Sequence, residues 1–197
     1  MNAGKPVFAV ISQGCAANFG DGERIARILT ARENAQITFE LPENSPGNAP
    51  DAIYLNVCTV KGNAGAMKLL RKALESFPEV PIHITGCAPK DFCEEVRKIT
   101  DKVAFTGLAE IAAQQKADMQ PIKSEPGTLR ESPYIGIVNI EEGCLDACAF
   151  CSTHLVKGRL RSYAPEGIVE QVKRLVDDGC TEIQLTGQDC ACYGFDI

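Results

Sequence analysis

The first 118 residues alternate short apolar runs with stretches in which apolar positions recur every three or four residues. The short runs are rich in β-branched residues and predict strands at residues 7–12, 52–57, 82–85 and 103–105. The longer periodic stretches predict helices at residues 20–32, 64–77, 91–99 and 108–116. This alternation predicts a doubly wound parallel-sheet α/β domain, in which ligands sit at the carboxyl ends of the strands.

A second βα pattern follows after a break in periodicity. Residues 119–133 hold three prolines and no sustained apolar period, so we interpret them as an interdomain linker. Beyond the linker the pattern predicts a strand at 134–140, a long loop at 141–162, a helix at 165–178 and a strand at 182–186. Two βα repeats are too few to close a sheet or bury a core, so we expect the truncated opening of a larger barrel.

The composition is that of a globular protein, with 45% apolar and 23% charged residues in 197. No apolar run approaches the length of a membrane span, and the N-terminus lacks the pattern of a secretory signal. We therefore expect a cytoplasmic protein that has no membrane partner. The formal net charge of −6 argues against a basic nucleic-acid-binding domain.

Ten cysteines are more than packing alone requires. In a reducing compartment such a number indicates metal ligation or redox chemistry before structural disulfides. Cys144, Cys148 and Cys151, here called the second triad, form a C-x3-C-x2-C pattern in the predicted loop after a strand. Three thiolates so close together can hold a soft metal centre and leave one coordination position open. His154 can supply a fourth ligand, which leaves a closed zinc site as an alternative.

Cys15, Cys58 and Cys87, here called the first triad, are far apart in sequence. Each follows the carboxyl end of a predicted strand, and those ends share one edge of a parallel sheet, so we expect the three to converge. A buried apolar thiol is the ordinary interpretation of any one of them, but not of three at equivalent positions. Gly14 and Gly86 directly precede two of them and allow the backbone to approach a bulky inorganic group.

The spacing of the second triad, with Phe150 before its last cysteine, resembles the cluster-binding signature of the radical S-adenosylmethionine superfamily. With the first triad, the chain resembles the methylthiotransferase family of that superfamily over essentially its whole length. Further matching positions are Asn18, Asn56, Gly86, Gly143, Gly158, Arg159, Arg161, Gly187, Gln188, Tyr193 and Gly194. The segments GRLRSY and LTGQDCACYGFD look like the archaeal and eukaryotic branch, which modifies N6-threonylcarbamoyladenosine at tRNA position 37.

This resemblance implies an N-terminal α/β domain, a radical S-adenosylmethionine barrel and two [4Fe-4S] clusters, one on each triad. It implies that an electron delivered to the second cluster cleaves S-adenosylmethionine, and that the resulting 5′-deoxyadenosyl radical abstracts hydrogen from adenine C2. The first cluster would carry the methylthio group that replaces this hydrogen. The resemblance also implies that Phe150, Arg159 and Gln188 contribute to binding of the cofactor.

The implied partners are tRNA, an electron donor such as a ferredoxin or flavodoxin, and a partner chain that completes the barrel if the protein is split. Family members are about twice as long as this chain, so tRNA contacts are expected mainly from regions that it lacks. The alternative is a non-catalytic iron–sulfur or zinc-binding module that docks on a partner. A ribosomal-protein substrate, as in another branch of the family, is a further possibility.

The remaining candidate residues have two interpretations each. Lys157, Arg159 and Arg161 form a basic patch that either contacts an anionic group of S-adenosylmethionine or RNA, or is a solvated loop face. Cys190 and Cys192 follow the last predicted strand, yet the family pattern has no ligand there, so we expect them to be bystanders. His83 lies within an apolar strand, where a hydrogen-bonded core histidine is expected.

Overall fold

A computed structural model describes residues 5–45, 47–58, 63–114, 129–149, 151 and 153–197. The N-terminal segment contains β1 (Val7–Ser12), α1 (Ala16–Glu33), β2 (Gln36–Thr38), β3 (Ala52–Cys58), α2 (Ala64–Ser76), β4 (Ile82–Cys87), α3 (Lys90–Arg97), β5 (Val103–Phe105) and α4 (Leu108–Gln114). The second segment contains β6 (Ile135–Asn139), β7 (Glu141–Glu142), α5 (Thr153–Lys157), β8 (Arg161–Ser162), α6 (Pro165–Asp177), β9 (Glu182–Thr186) and a 3₁₀ turn (Cys190–Cys192).

The N-terminal segment forms a five-stranded sheet with the order β2-β1-β3-β4-β5, and every neighbouring pair is parallel. The chain builds outward from β1 to β2 and then returns to the other side of β1 to add β3, β4 and β5. In such a sheet the crevice for ligands lies at the carboxyl ends of the strands where the order reverses. This arrangement confirms the doubly wound α/β class and locates the reversal between β1 and β3.

Helices cover both faces of this sheet, because its central strand is apolar on both sides. Ile53, Leu55 and Val57 of β3 pack with α2 and α3, while Ala52 and Tyr54 pack with α1 and α4. Successive residues of a strand point to opposite faces, so a strand buried on both sides has no polar alternation. Within the described part of the chain, every helix falls short of the length and apolar character needed to cross a membrane.

The second segment pairs β6 with β9 in parallel and β7 with β8 in antiparallel register. Its small cluster of buried side chains comprises Val138, Tyr163, Ile168, Leu175 and Cys180. It also packs against α1 at Gly20, where a Cβ would lie 2.6 Å from Oδ1 of Asn139. The Asn139 side chain donates to the Ala17 carbonyl at 3.2 Å and to Oδ1 of Asp21 at 3.0 Å. Helix α1 therefore contacts both the sheet and the second segment.

Three features differ from the sequence predictions. Helix α1 begins at Ala16 rather than at residue 20, and its first turn is closed by the amides of Asn18 and Phe19 on the Cys15 carbonyl. Two glycines inside α1 lower its intrinsic helix propensity, and packing against β6 compensates for them. Strand β2 was not predicted. The predicted loop at 141–162 contains β7, α5 and β8, which are too short to show a period.

Of the predicted linker, residues 119–128 lie outside the described residues, as does the predicted end of the helix at 108–116. Residues 129–133 are described, and Arg130 within them forms an ion pair with Asp178 at the end of α6. The amide of Glu131 donates to Oε1 of Glu23 in α1 at 3.2 Å. This part of the predicted linker is therefore held against both segments.

Glu23 provides a test of this packing through the pH dependence of stability. The residue is 2% exposed, and burial raises its pKa from 4.5 to about 7, although Arg27 opposes the shift. The folded chain then holds a proton that the unfolded chain has lost. The contribution of Glu23 is therefore complete below pH 4.5 and is lost as the pH rises to about 7. The loss amounts to about 3 kcal/mol at 1.36 kcal/mol per pKa unit.

We expect Glu23→Gln to remove this part of the pH dependence. Urea unfolding between pH 4.5 and pH 8 measures it as the slope of the unfolding free energy. Glu75→Gln, at an exposed position of α2, is the control and should keep the slope of the parent chain. Equal slopes in the parent chain and Glu23→Gln would show that Glu23 is not buried as described.

Candidate metal centres

The strand ends of the N-terminal sheet carry the first triad side by side. Cys58 and Cys87 are the last residues of β3 and β4, and they are register partners in the parallel pair. Cys15 is in the N-cap position of α1, directly after the loop that leaves β1. That loop lies against β3, because a Cβ at Gly14 would be 2.3 Å from Cβ of Cys58. The carboxyl edge of the sheet thus brings the three cysteine-bearing segments together.

Two glycines of this edge have conformations that other residues adopt with strain. Gly14 has a φ of +120° and Gly86 has a φ of +85°, so both lie at positive φ where a side chain is unfavourable. A Cβ at Gly86 would lie 2.4 Å from the Val57 carbonyl oxygen. The absence of a side chain at Gly86 lets β4 stay close to β3 at the position directly before Cys87.

Two asparagines bind the loops of the first triad to each other. The Asn18 side chain donates to the carbonyls of Gln13 at 2.8 Å and of Asn56 at 2.9 Å. The Asn56 side chain donates to the Asn18 carbonyl at 2.5 Å and to Oγ of Ser12 at 3.2 Å. Both side chains are buried, and their Oδ1 atoms have no hydrogen-bond partner among the described residues. These contacts connect the first turn of α1 to the ends of β1 and β3.

The first triad differs in exposure from one member to the next. Cys15 is exposed, Cys58 is half-buried and Cys87 is buried. Burial raises the pKa of the Cys87 thiol to about 11, and the nearby Lys157 opposes the shift. Nζ of Lys157 in turn lies 2.5 Å from Oδ2 of Asp21 in α1. A soft metal centre at this edge would have access from solvent through Cys15, and it would have to displace the Cys87 proton.

The second triad lies on the loop between β7 and α5. Cys144 and Cys151 are half-buried and Cys148 is exposed. The Cys151 amide donates to the Cys148 carbonyl at 3.0 Å, and the Cys144 amide donates to the Gly158 carbonyl at 3.2 Å. One hydrogen bond therefore joins two residues within the loop, and the other joins the start of the loop to the residue after α5.

Of the three predicted cofactor-binding residues, Gln188 and Arg159 both lie next to Gly143, the residue before Cys144, but only Gln188 contacts it through its side chain. Oε1 of Gln188 accepts a hydrogen bond from the Gly143 amide at 2.7 Å, so this side chain holds the residue before Cys144. Arg159 is exposed, and its carbonyl oxygen would lie 2.1 Å from a Cβ at Gly143. Phe150 lies outside the described residues.

The basic patch is largely neutralised by neighbouring carboxylates. Lys157 is paired with Asp21, and the Arg161 guanidinium lies 2.9 Å from Oε2 of Glu142. Arg159 and Arg161 are exposed, whereas Lys157 is half-buried. Lys157 is therefore not part of a solvated loop face, because it binds the helix α1 of the other segment.

His83 is a half-buried residue of β4 that makes a ring contact and a hydrogen bond. Its ring stacks on that of Tyr54 with centroids 4.8 Å apart, and Nδ1 lies 3.2 Å from Oγ1 of Thr106. Burial lowers the pKa of His83, with an opposing effect from Glu110. The neutral ring is therefore favoured, as expected for a hydrogen-bonded histidine.

A cavity of about 220 Å³ lies between the sheet edge and the second segment. Its lining includes Asn56 and Gly86 from the sheet, Asp21 from α1, and Glu142 and Lys157 from the second segment. The volume is below the roughly 300 to 1,000 Å³ of typical small-molecule pockets. The cavity adjoins the residue before Cys87 and separates the two segments at that point.

Within the described part of the chain, one group of side chains has the spacing of a single-ion site. The ligand atoms of Cys144, Asp189 and Cys192 all lie within 4.8 Å of one another. Neither the other members of the second triad nor His154 belongs to this group. The sequence predicts a bystander role for Cys192 and no role for Asp189. The D-x-x-C spacing in a short turn was the signal that could have found them.

A parallel α/β domain with cysteines at or just after three strand ends is joined here to a βα segment with a cysteine-rich loop, which places the chain in the class of cysteine-rich α/β proteins. The family whose sequence model matches residues 7–107, just over half of the chain, is described as uncharacterized protein family UPF0004. The chain belongs to this family, and its relatives are tRNA methylthiotransferases.

Two of these relatives illustrate the range of the matches. The tRNA-2-methylthio-N(6)-dimethylallyladenosine synthase of Salinispora arenicola is 30% identical over 214 residues, which cover 96% of this chain and 41% of the relative. The probable threonylcarbamoyladenosine tRNA methylthiotransferase of Pyrococcus horikoshii is 31% identical over 202 residues. These cover 93% of this chain and 45% of the relative. The chain thus spans less than half the length of these curated relatives. The predicted resemblance to methylthiotransferases is confirmed, and both kinds of relative match about equally well.

Proposed function

We propose that this protein takes part in the methylthiolation of tRNA, and that each of its two triads holds one [4Fe-4S] cluster. The observation that carries the proposal is the register pairing of Cys58 with Cys87 at the carboxyl edge, with the Cys15 loop against Cys58. The carboxyl edge is where a doubly wound sheet binds its ligand, and the three cysteines of the first triad lie along this edge. The names of the relatives support a transferase that acts on tRNA.

The residues of both triads suit an iron–sulfur cluster. Thiolates are the donors that such clusters use, and three of them leave one iron open. At the first triad, Gly14 and Gly86 leave space where any side chain would collide with Cys58 or Val57. At the second triad, Cys148 is exposed and the loop is short, so all three thiols can turn toward one centre.

When bound, the clusters and S-adenosylmethionine supply the radical chemistry and the methylthio group. The protein's own residues bind and orient these groups and limit their contact with water. We propose that Gln188 acts as a positioning residue, because it accepts the hydrogen bond of Gly143 directly before the second triad. Phe150 and Arg159 are proposed to contact the cofactor. Lys157 holds a positive charge near Cys87 and would offset the charge of a thiolate-bound cluster.

The finer proposal is that the target is N6-threonylcarbamoyladenosine at tRNA position 37. The segments GRLRSY and LTGQDCACYGFD support it by resemblance to the archaeal and eukaryotic branch. The partners would be tRNA and a ferredoxin or flavodoxin as electron donor. A partner chain would supply the regions that the longer relatives carry in a single chain. Mass spectrometry of tRNA nucleosides from cells without this protein tests the target, because the methylthio form of the true substrate should disappear.

The two-cluster proposal predicts the iron content of the chain. After anaerobic reconstitution we expect about eight irons and as many sulfides per chain, falling to about four when either triad is changed to alanine. The control is alanine at Cys93 and Cys190, two cysteines outside both triads, which should leave the iron content unchanged. Unchanged iron in a triad variant contradicts the assignment of that triad.

Reductive cleavage of S-adenosylmethionine separates the enzyme from the non-catalytic module. We expect 5′-deoxyadenosine to form when the reconstituted protein is reduced under anaerobic conditions, and to be absent when the second triad is changed to alanine. A closed structural metal site has no open position for S-adenosylmethionine. Bound zinc with no cleavage would therefore support the binding-module alternative.

A further inference from the structure

The 3₁₀ turn after β9 places two metal-binding side chains on the same side of the chain. Asp189 is the N-cap of this turn and Cys192 is its last residue, and the Cys192 amide donates to the Asp189 carbonyl at 3.0 Å, which holds the two residues together. Cys144, which is 45 residues away in sequence, lies opposite them, with its Sγ 3.8 Å from Oδ2 of Asp189. The three ligand atoms lie within 4.8 Å of one another.

The separation between Cys144 Sγ and Asp189 Oδ2 matches the geometry of a tetrahedral zinc site. Zinc binds thiolate sulfur at about 2.3 Å and carboxylate oxygen at about 2.1 Å, so the sulfur and oxygen of two ligands stand about 3.6 Å apart. Two thiolate ligands of such a site stand about 3.8 Å apart by the same calculation. The observed sulfur–oxygen distance of 3.8 Å requires only a small adjustment.

Backbone amides hold two of the three donors in place. The Ala191 amide donates to Oδ1 of Asp189 at 3.2 Å and leaves Oδ2 directed at Cys144. The Asp146 amide donates to Sγ of Cys144 at 3.3 Å. The buried Glu141 accepts the Asp189 amide at 3.1 Å and anchors the turn. Such outer contacts are typical of sites that orient their ligands before the metal arrives.

We propose that Cys144, Asp189 and Cys192 form a mononuclear site for a zinc-class divalent ion, with water as the fourth ligand. Binding releases the thiol protons of both cysteines, including the one that Cys192 donates to the Asp189 carbonyl at 3.0 Å. Cys144 also belongs to the second triad. A consequence that rests on the proposed function follows: zinc at this site and a cluster on the second triad exclude each other.

Titration of the metal-free chain with Co²⁺ tests the site, because tetrahedral thiolate-bound Co²⁺ has characteristic charge-transfer and d–d absorption. We expect a tetrahedral spectrum whose affinity falls by more than about 100-fold in Asp189→Asn and in Cys192→Ser, exceeding the usual effect of losing an outer contact. Asp189→Asn preserves the shape of the side chain, which covers the case in which Cys192→Ser disturbs folding. Cys190→Ser is the control and should bind Co²⁺ like the parent chain, while Cys148→Ser and Cys58→Ser report whether the ion occupies a triad instead.

A loss of affinity in Cys148→Ser or Cys58→Ser equal to that in Asp189→Asn would overturn the proposal, because the ion would then occupy a triad. An absent tetrahedral spectrum in the parent chain would do the same. Iron reconstitution tests whether zinc at this site excludes a cluster on the second triad. One equivalent of Zn²⁺ added before reconstitution should lower the iron content of the parent chain but not that of Asp189→Asn. If no cluster forms under any condition, the proposed function fails while the Co²⁺ result still decides the ion site.

Discussion

Replacing Lys157 with methionine is expected to lower the free energy of unfolding by about 3 to 5 kcal/mol, as for other buried ion pairs that lose one partner. The side chains of Lys157 and Asp21 are 13% and 3% exposed, and methionine would leave the Asp21 carboxylate buried without its cation. The free energy needed to protonate Asp21 sets an upper limit on this loss of stability, because a protonated carboxyl needs no cation. At pH 8, protonating a carboxyl with an ordinary pKa of 3.8 costs about 6 kcal/mol. Burial already raises the pKa of Asp21, which places the expected loss below that limit.

Denaturant unfolding at pH 8 measures this effect, and two variants serve as controls. Lys173→Met, at an exposed position of α6, should change stability by less than about 0.5 kcal/mol. Combining Lys157→Met with Asp21→Asn should recover much of the loss, since no charge is left buried and the amide oxygen can still accept from Asn139. Equal stability of Lys157→Met and Lys173→Met would show that the ion pair between α1 and α5 does not form.

Replacing Gly86 with alanine is expected to destabilise the fold by about 2 to 5 kcal/mol, because two costs combine there. Its φ of +85° is unfavourable for a residue with a Cβ, at about 1 to 2 kcal/mol. The added carbon would lie 2.4 Å from the Val57 carbonyl oxygen and 2.5 Å from Oδ1 of Asn56. Relieving this overlap moves backbone or a buried amide, at a further 1 to 3 kcal/mol or so. Because Cys87 comes next, we also expect weaker iron incorporation at the first triad.

Gly179 provides a matched control for the steric cost. Its φ is +91°, and a Cβ at this position would meet no atom within 4 Å. Gly179→Ala should therefore show only the conformational cost of about 1 to 2 kcal/mol and normal iron incorporation. Urea unfolding and iron analysis of the two variants separate the conformational cost from the steric one. If Gly86→Ala is no less stable than Gly179→Ala, the close contact between β4 and β3 is not present in solution.

The first triad shows how far sequence reasoning reached at a candidate site. Strands β1 and β3 are recognisable because burial on both faces leaves a nearly continuous apolar run, and β4 is recognisable by its β-branched residues. Each cysteine follows such a strand, so parallel pairing alone brings the three segments to one edge. The bonds of Asn18 and Asn56 could not be predicted, because they depend on how α1 leaves β1. For the same reason helix α1 was predicted to begin four residues too late, as its first turn is stabilised by these contacts and not by an apolar period.

The class of the fold, the order of its main elements and the cysteine-rich character of the chain can be read from the amino-acid sequence, because they follow from local periodicity and residue type. The contact of Lys157 with Asp21, 136 residues away, is visible only in the folded chain. The same is true of Cys192 and Asp189, which lie within 4.8 Å of Cys144 where His154 does not. The physical reason is that such pairs form where separate elements pack. Their distances are set by helix and strand contacts that have no periodic signature in the chain.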